Sequence, residues 1–158
     1  MTRLPRTLPK ARVLSALLTA GVLSSATTGC VAPAFDAGAF QRNAIHALDS
    51  AVSDARTSAL ALEQHLAGQV MRPYADTVVS DSEDAIGPVE DSFDNVDPPT
   101  EADVRLRREV GGLLSGTGDA LADARIALRS NDRAGMAKSM EGLRAIADQM
   151  EKASERLS

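Results

Sequence analysis

The sequence predicts an all-α fold, a four-helix bundle of antiparallel up-down-up-down connectivity over residues 37–158. Three observations carry that expectation. Apolar residues recur three and four positions apart in four successive stretches, the period of one helix face. No stretch alternates apolar and polar residues with the enrichment typical of strands, and aromatic residues make up only 3% of the chain. The breaks between stretches are short and built from Pro, Gly, Asn and Asp, which favours antiparallel neighbours.

The first stretch carries Ile45, Leu48, Val52, Ala55, Ala59, Leu62 and Leu66 on one stripe, which predicts a helix from about 37 to 70. Met71-Arg72-Pro73 is expected to end it. A second stripe runs through Ala75, Val78, Ser82, Ile86, Val89, Phe93 and Val96, where Gly87-Pro88 is expected to kink or split the helix before Asp97-Pro98-Pro99 stops it. Thr100 followed by Asp103 is a variant capping box that opens a third helix, with Leu106, Val110, Leu113, Thr117, Leu121, Ala124 and Leu128 as its stripe. Gly111, Gly112, Gly116 and Gly118 weaken that helix by roughly 1 kcal/mol each, which leaves open a local break near Ser115 to Gly118 although the stripe stays in phase across it. Ser130-Asn131-Asp132 supplies a turn and a cap, and Met136, Met140, Leu143, Ala147, Met150 and Leu157 face inward from the last helix. Alanines such as Ala44, Ala51, Ala59, Ala120 and Ala124 let helices approach closely, but they limit core volume and predict modest stability.

The segment before the first helix reads differently. Arg3, Arg6, Lys10 and Arg12 precede an apolar run from Val13 to Leu23, and small residues lead to Cys30, the chain's one cysteine. That order is the plan of a secretory signal. The run is too short to span a bilayer, which takes roughly 20 apolar residues. Thr27-Thr28-Gly29-Cys30 resembles the lipobox of bacterial lipoprotein precursors, in which a small residue precedes the cysteine. The resemblance covers the N-terminal fifth of the chain. It implies removal of residues 1–29, acylation of Cys30, a tether over residues 30–36, and a domain held on the extracytoplasmic face of the cell membrane. Ala32-Pro33-Ala34 offers a competing cut that would release a secreted protein starting at Phe35. Frequent arginine and alanine beside lysine at only Lys10, Lys138 and Lys152 is a bias of high-GC bacteria, and hints at an actinobacterial source.

Removing residues 1–29 takes away four basic residues and no acidic ones, leaving 13 basic against 22 acidic and a net charge of about −9. That balance argues against nucleic acid and against adsorption on anionic lipid by the domain itself. The remaining 129 residues suffice for one domain.

The search for chemistry is mostly negative, and no enzyme activity, cofactor or metal is expected. His46 and His65 lie nineteen residues apart, roughly 100° out of line on one helix, so they cannot share a metal from it. Gly111-Gly-Leu-Leu-Ser-Gly116-Thr117 begins like a phosphate-binding loop but lacks the lysine and the preceding strand. The most unusual stretch lies between Arg72 and Arg105, with no basic residue but with Asp76, Asp81, Glu83, Asp84, Glu90, Asp91, Asp94, Asp97, Glu101 and Asp103. Glu83, Asp84, Glu90 and Asp91 form a candidate surface for a basic envelope protein partner; Asp81, Glu83 and Asp84 are the candidate cation trio, against the plainer reading of a solvated acidic face. Arg105, Arg107 and Arg108 are expected to pair with this acidic helix across the bundle. Two functions remain: an envelope lipoprotein with a binding or structural domain, or an exported carrier of a ligand or cation with a pocket inside the bundle.

Overall fold

The computed structural model describes residues 36–158. The expected signal segment, the lipobox and Cys30 lie outside the described residues. Four helices, α1 (Ala37–Leu66), α2 (Arg72–Asp94), α3 (Glu101–Ser130) and α4 (Arg133–Leu157), make up almost all of the described chain, with no strand among them. Neighbours in sequence pack together, α4 returns to α1, and α1 and α3 also touch across the middle, whereas α2 and α4 do not. Such contacts are those of a helix bundle.

Side chains from the sequence itself start three of the helices. Asp36 accepts the Ala39 N–H at 2.7 Å, and Asp132 accepts the Gly135 N–H at 3.0 Å. Thr100 Oγ1 accepts the Asp103 N–H at 3.2 Å while its own hydroxyl donates to Asp103 Oδ2 at 2.6 Å, so the expected box closes through the hydroxyl. Asn131 ends α3 in the left-handed conformation at φ 55°, which asparagine tolerates well.

The first correction concerns the end of α1. It stops at Leu66, four residues short of the expected end, because Gly68 adopts φ 73° and its N–H turns back to the His65 carbonyl at 2.9 Å. Pro73 therefore does not end α1. It sits in the first turn of α2, where a missing N–H costs nothing.

The second correction is that Gly87-Pro88 does not split α2, which runs unbroken from Arg72 to Asp94. A proline inside a helix removes one backbone hydrogen bond and costs about 3 kcal/mol. Ile86 and Phe93, buried on either side of it, pull both halves onto the same core and offset that loss. α3 is likewise continuous through Ser115 to Gly118. Gly116 faces α4, where a Cβ would stand 3.0 Å from Ile146 Cδ1, so this glycine admits a close approach.

The core matches the expected stripes in part. Leu48, Leu62, Val110, Leu121, Leu128, Met136, Leu143 and Met150 are completely buried. The buried face of α1 is turned relative to its expected stripe: Phe40, Ala44, Ala47, Ala51 and Ser58 join it, while Ile45, Val52 and Leu66 are only half-buried. Val79 and Leu114 take central places where Val78 and Leu113 were expected. Small side chains at these positions let the helix axes come close, and the largest neighbours then fill the remaining space.

Polar pairs mark how the helices run past one another. Asp49, Arg56 and Glu63 of α1 meet Ser154, then Glu151 and Asp148, then Arg144 of α4, at 2.9, 2.6, 3.4 and 2.9 Å respectively. Arg133, at the start of α4, donates to the Leu66 carbonyl at the end of α1 at 2.9 Å.

Candidate functional site

The acidic residues of α2 divide into two groups by helix geometry. Asp76, Glu83 and Asp94 face α3. Asp76 pairs with Arg129 at 3.1 Å, Glu83 takes two hydrogen bonds from Arg125, one of them at 3.0 Å, and Asp94 pairs with Arg107 at 3.7 Å. Arg107 also donates to the Asp94 backbone carbonyl. The Glu83 carboxylate, by hydrogen bonding first and by charge second, pushes the Arg125 pKa further up.

The second group faces outward. It holds Asp81, Asp84 and Asp91, all exposed, whereas half-buried Glu90 lies seven residues from Glu83 on the Glu83 line. Asp84 and Asp91, seven residues apart, share one line of the helix, and Asp81 stands one turn before Asp84. Thus the expected surface of Glu83, Asp84, Glu90 and Asp91 splits into two lines, and only Asp84 and Asp91 share an exposed one. The bonding of Glu83 to Arg125 also removes it from the trio with Asp81 and Asp84, and no group of three His, Cys, Asp or Glu residues among the described residues is placed to hold a metal.

Of the three arginines opening α3, Arg107 makes the expected pair with α2, while Arg105 and Arg108 point into solvent. The cations that matter most to α2, Arg125 and Arg129, were missed by the sequence reading. Their signal was present but faint: they sit four apart near the end of α3, on the flank of its stripe.

The histidines have separate fates. His65 Nδ1 donates to the Val70 carbonyl at 3.1 Å and secures the α1–α2 turn. His46 is exposed beside a groove of about 340 Å³ between α1 and α2, walled by Asn43, Ser50, Pro88 and Ser92 over Phe93. Other clefts are of similar size and also run between neighbouring helices at the surface, one around Leu60 and Arg144, another around Leu113 and Lys152. Leu60, Met71, Tyr74 and Ile126 are the large apolar side chains left exposed, and they are scattered over three helices and a turn.

Asp54 is a further residue the sequence reading passed over. Partial burial on α1 raises the pKa of its carboxyl above the ordinary carboxylate value. The folded state therefore holds this proton more tightly than the unfolded chain does. That contribution favours folding below the ordinary carboxylate pKa and is lost as pH rises through the raised value. Asp54→Asn is expected to raise the melting temperature near pH 7, with a gain that shrinks on acidification. Melting curves at several pH values check this, and an equal gain at all of them would contradict it.

No helix among the described residues is long and apolar enough to cross a membrane. Comparison with protein-family models, with curated proteins and with solved structures finds no match to the chain.

Proposed function

We propose that this protein is an envelope lipoprotein, anchored through acyl chains on Cys30, whose antiparallel up-down-up-down bundle is a non-enzymatic binding or structural domain. The outward side of α2, with Asp81, Asp84 and Asp91, is its contact surface for a basic patch on another envelope protein. The observation that carries this reading is the division of the α2 carboxylates. Those facing α3 are matched by arginines, whereas the outer ones have no basic residue near them in sequence from Arg72 to Arg105. Unmatched charge of one sign selects partners of the other sign and speeds encounter.

Support for the topology comes from the descending order of α4 partners along α1 and from Arg133 reaching the end of α1. Support for the anchor comes from the signal plan and the Gly29-Cys30 junction. Two acyl chains hold a protein on a membrane where one does not. At ~3.5 Å per residue, the tether would keep the bundle within about 25 Å of the lipid.

Two expected results test this reading. Cys30→Ala moves the protein from membranes to the medium, and mass spectrometry of the wild-type mature N-terminus finds an acylated Cys30; an unmodified start at Phe35 would sink the anchor. Crosslinking in intact cells traps a membrane-associated protein, and Asp81→Lys with Asp91→Lys weakens that crosslink several-fold; Asp84 is kept because its charge also acts on Arg125. A crosslink insensitive to the double reversal, or a small molecule recovered tightly bound in the bundle, contradicts the surface.

A further inference from the structure

The helices contribute unequally to the core. α1, α3 and α4 interlock through large, completely buried side chains: Leu48 and Leu62, Leu114 and Leu121, Leu143 and Met150. α2 and α4 stand at opposite corners, each touching α1 and α3 only, but α2 brings the smaller buried side chains. It buries just Ala75, Val79, Ser82, Ile86 and Phe93.

Its seam with α1 is strong at one end and thin along the rest. Phe40 and Phe93 meet there with ring centroids 5.4 Å apart. Eighteen residues make about five helical turns and eleven make about three. Ser58 therefore lies on the Phe40 line of α1, and Ala75 and Ser82 lie on the Phe93 line of α2. Away from the aromatic pair these lines meet through alanine and serine, which bury little apolar area.

Polar groups weaken the seam further. The Ser58 hydroxyl is completely buried and has no hydrogen-bond partner among the described residues. Its desolvation opposes the closed arrangement and would be relieved if water entered. Asp54, one turn earlier, is half-buried, and burial disfavours its charged form. On the other flank α2 is held by its ion pairs to Arg107, Arg125 and Arg129, of which only the Glu83 pair is well shielded from solvent. Pro88 removes a backbone hydrogen bond from the middle of the helix.

We propose that α2 is a releasable arm, which opens from the bundle as a unit while α1, α3 and α4 stay packed. Opening uncovers Val79, Ile86 and Phe93 together with the α1 face that carries Phe40, Ala51 and Ser58. Local openings of this kind fall below global unfolding in free energy wherever buried apolar contacts are few.

Amide hydrogen exchange of the mature-length protein under native conditions, read by mass spectrometry, tests the proposal. The amides of α2 are expected to exchange at least about tenfold faster than the buried amides of α1, α3 and α4. Ser58→Ala is expected to slow the α2 amides about tenfold, because it removes a buried unsatisfied hydroxyl from the closed state. Its helix-propensity gain in α1 is common to open and closed states and cancels. Equal protection across the four helices overturns the proposal, as does another helix exchanging first or an α2 rate unchanged by Ser58→Ala.

Discussion

Leu143→Asp and Leu62→Asp each leave the domain unfolded at room temperature. Both side chains are completely buried, on the two helices that form the tightest part of the core. An aspartate at either site has no partner there, so folding must either bury its charge or first protonate it, and it would also lose the apolar contacts of the leucine. Leaving a buried charge uncompensated costs roughly 3–5 kcal/mol, and removing the leucine costs about 2–5 kcal/mol more. A domain of ordinary size has about 5–15 kcal/mol of stability in total, and a core rich in alanine places this one toward the lower end. Circular dichroism checks the result through loss of the helical signal and of any cooperative melt. Leu60→Asp is the matched control: Leu60 is 54% exposed on the same helix, two residues from Leu62. That change is expected to stay within about 0.5 kcal/mol of wild type. If Leu62→Asp behaved like Leu60→Asp, the buried face of α1 would be wrongly assigned.

The second large effect is at Phe40. Its ring is completely buried in the first turns of α1 and lies against Phe93, tilted by 43°. Phe40→Ala is expected to cost about 3–5 kcal/mol, since alanine neighbours leave little material to fill the space. Within that loss, the pairing of the two rings contributes roughly 0.5–1.5 kcal/mol beyond their buried area. Urea denaturation of Phe40→Ala, Phe93→Ala and the double variant separates these parts. Strict additivity of the two single losses would contradict direct ring contact.

Much of the local structure was legible in the sequence because it depends on neighbours in sequence. The caps at Thr100 and Asp132 and the turn at Asn131 each depend on atoms within about four residues, whereas α2 ends at Asp94, before the expected stop at Asp97-Pro98-Pro99. The leucine and methionine positions were legible for the same reason, since a 3.6-residue period places them on one stripe. The exit of α1 was misjudged by weighing Pro73 over Gly68, although a glycine just past a helix is itself a local stop signal.

The candidate surface was only half legible. The run without basic residues could be read directly, and so could its length. Which of its carboxylates remain available could not, because their partners stand far away: Arg125 lies 42 residues from Glu83 and Arg129 lies 53 from Asp76. Helical period divides the acidic residues into lines, but it does not say which line meets another helix.

The sequence by itself determined four helices, the caps of α3 and α4 and most of the large core side chains, since these follow from propensity, capping chemistry and period over a few residues. The tertiary structure alone decided three further things. Packing of Ile86 and Phe93 carried α2 through Pro88, and the close approach of α4 at Gly116 fitted a glycine-rich α3 that stayed whole. Contact between helices turned the buried face of α1 toward Phe40, Ala47 and Ser58, because alanine and serine are small enough to lie inside or outside a stripe and only a neighbour's bulk chooses. Long-range pairing assigned Glu83 to Arg125 and left Asp84 and Asp91 to solvent, because charges meet according to the geometry of the packed helices and not their distance along the chain.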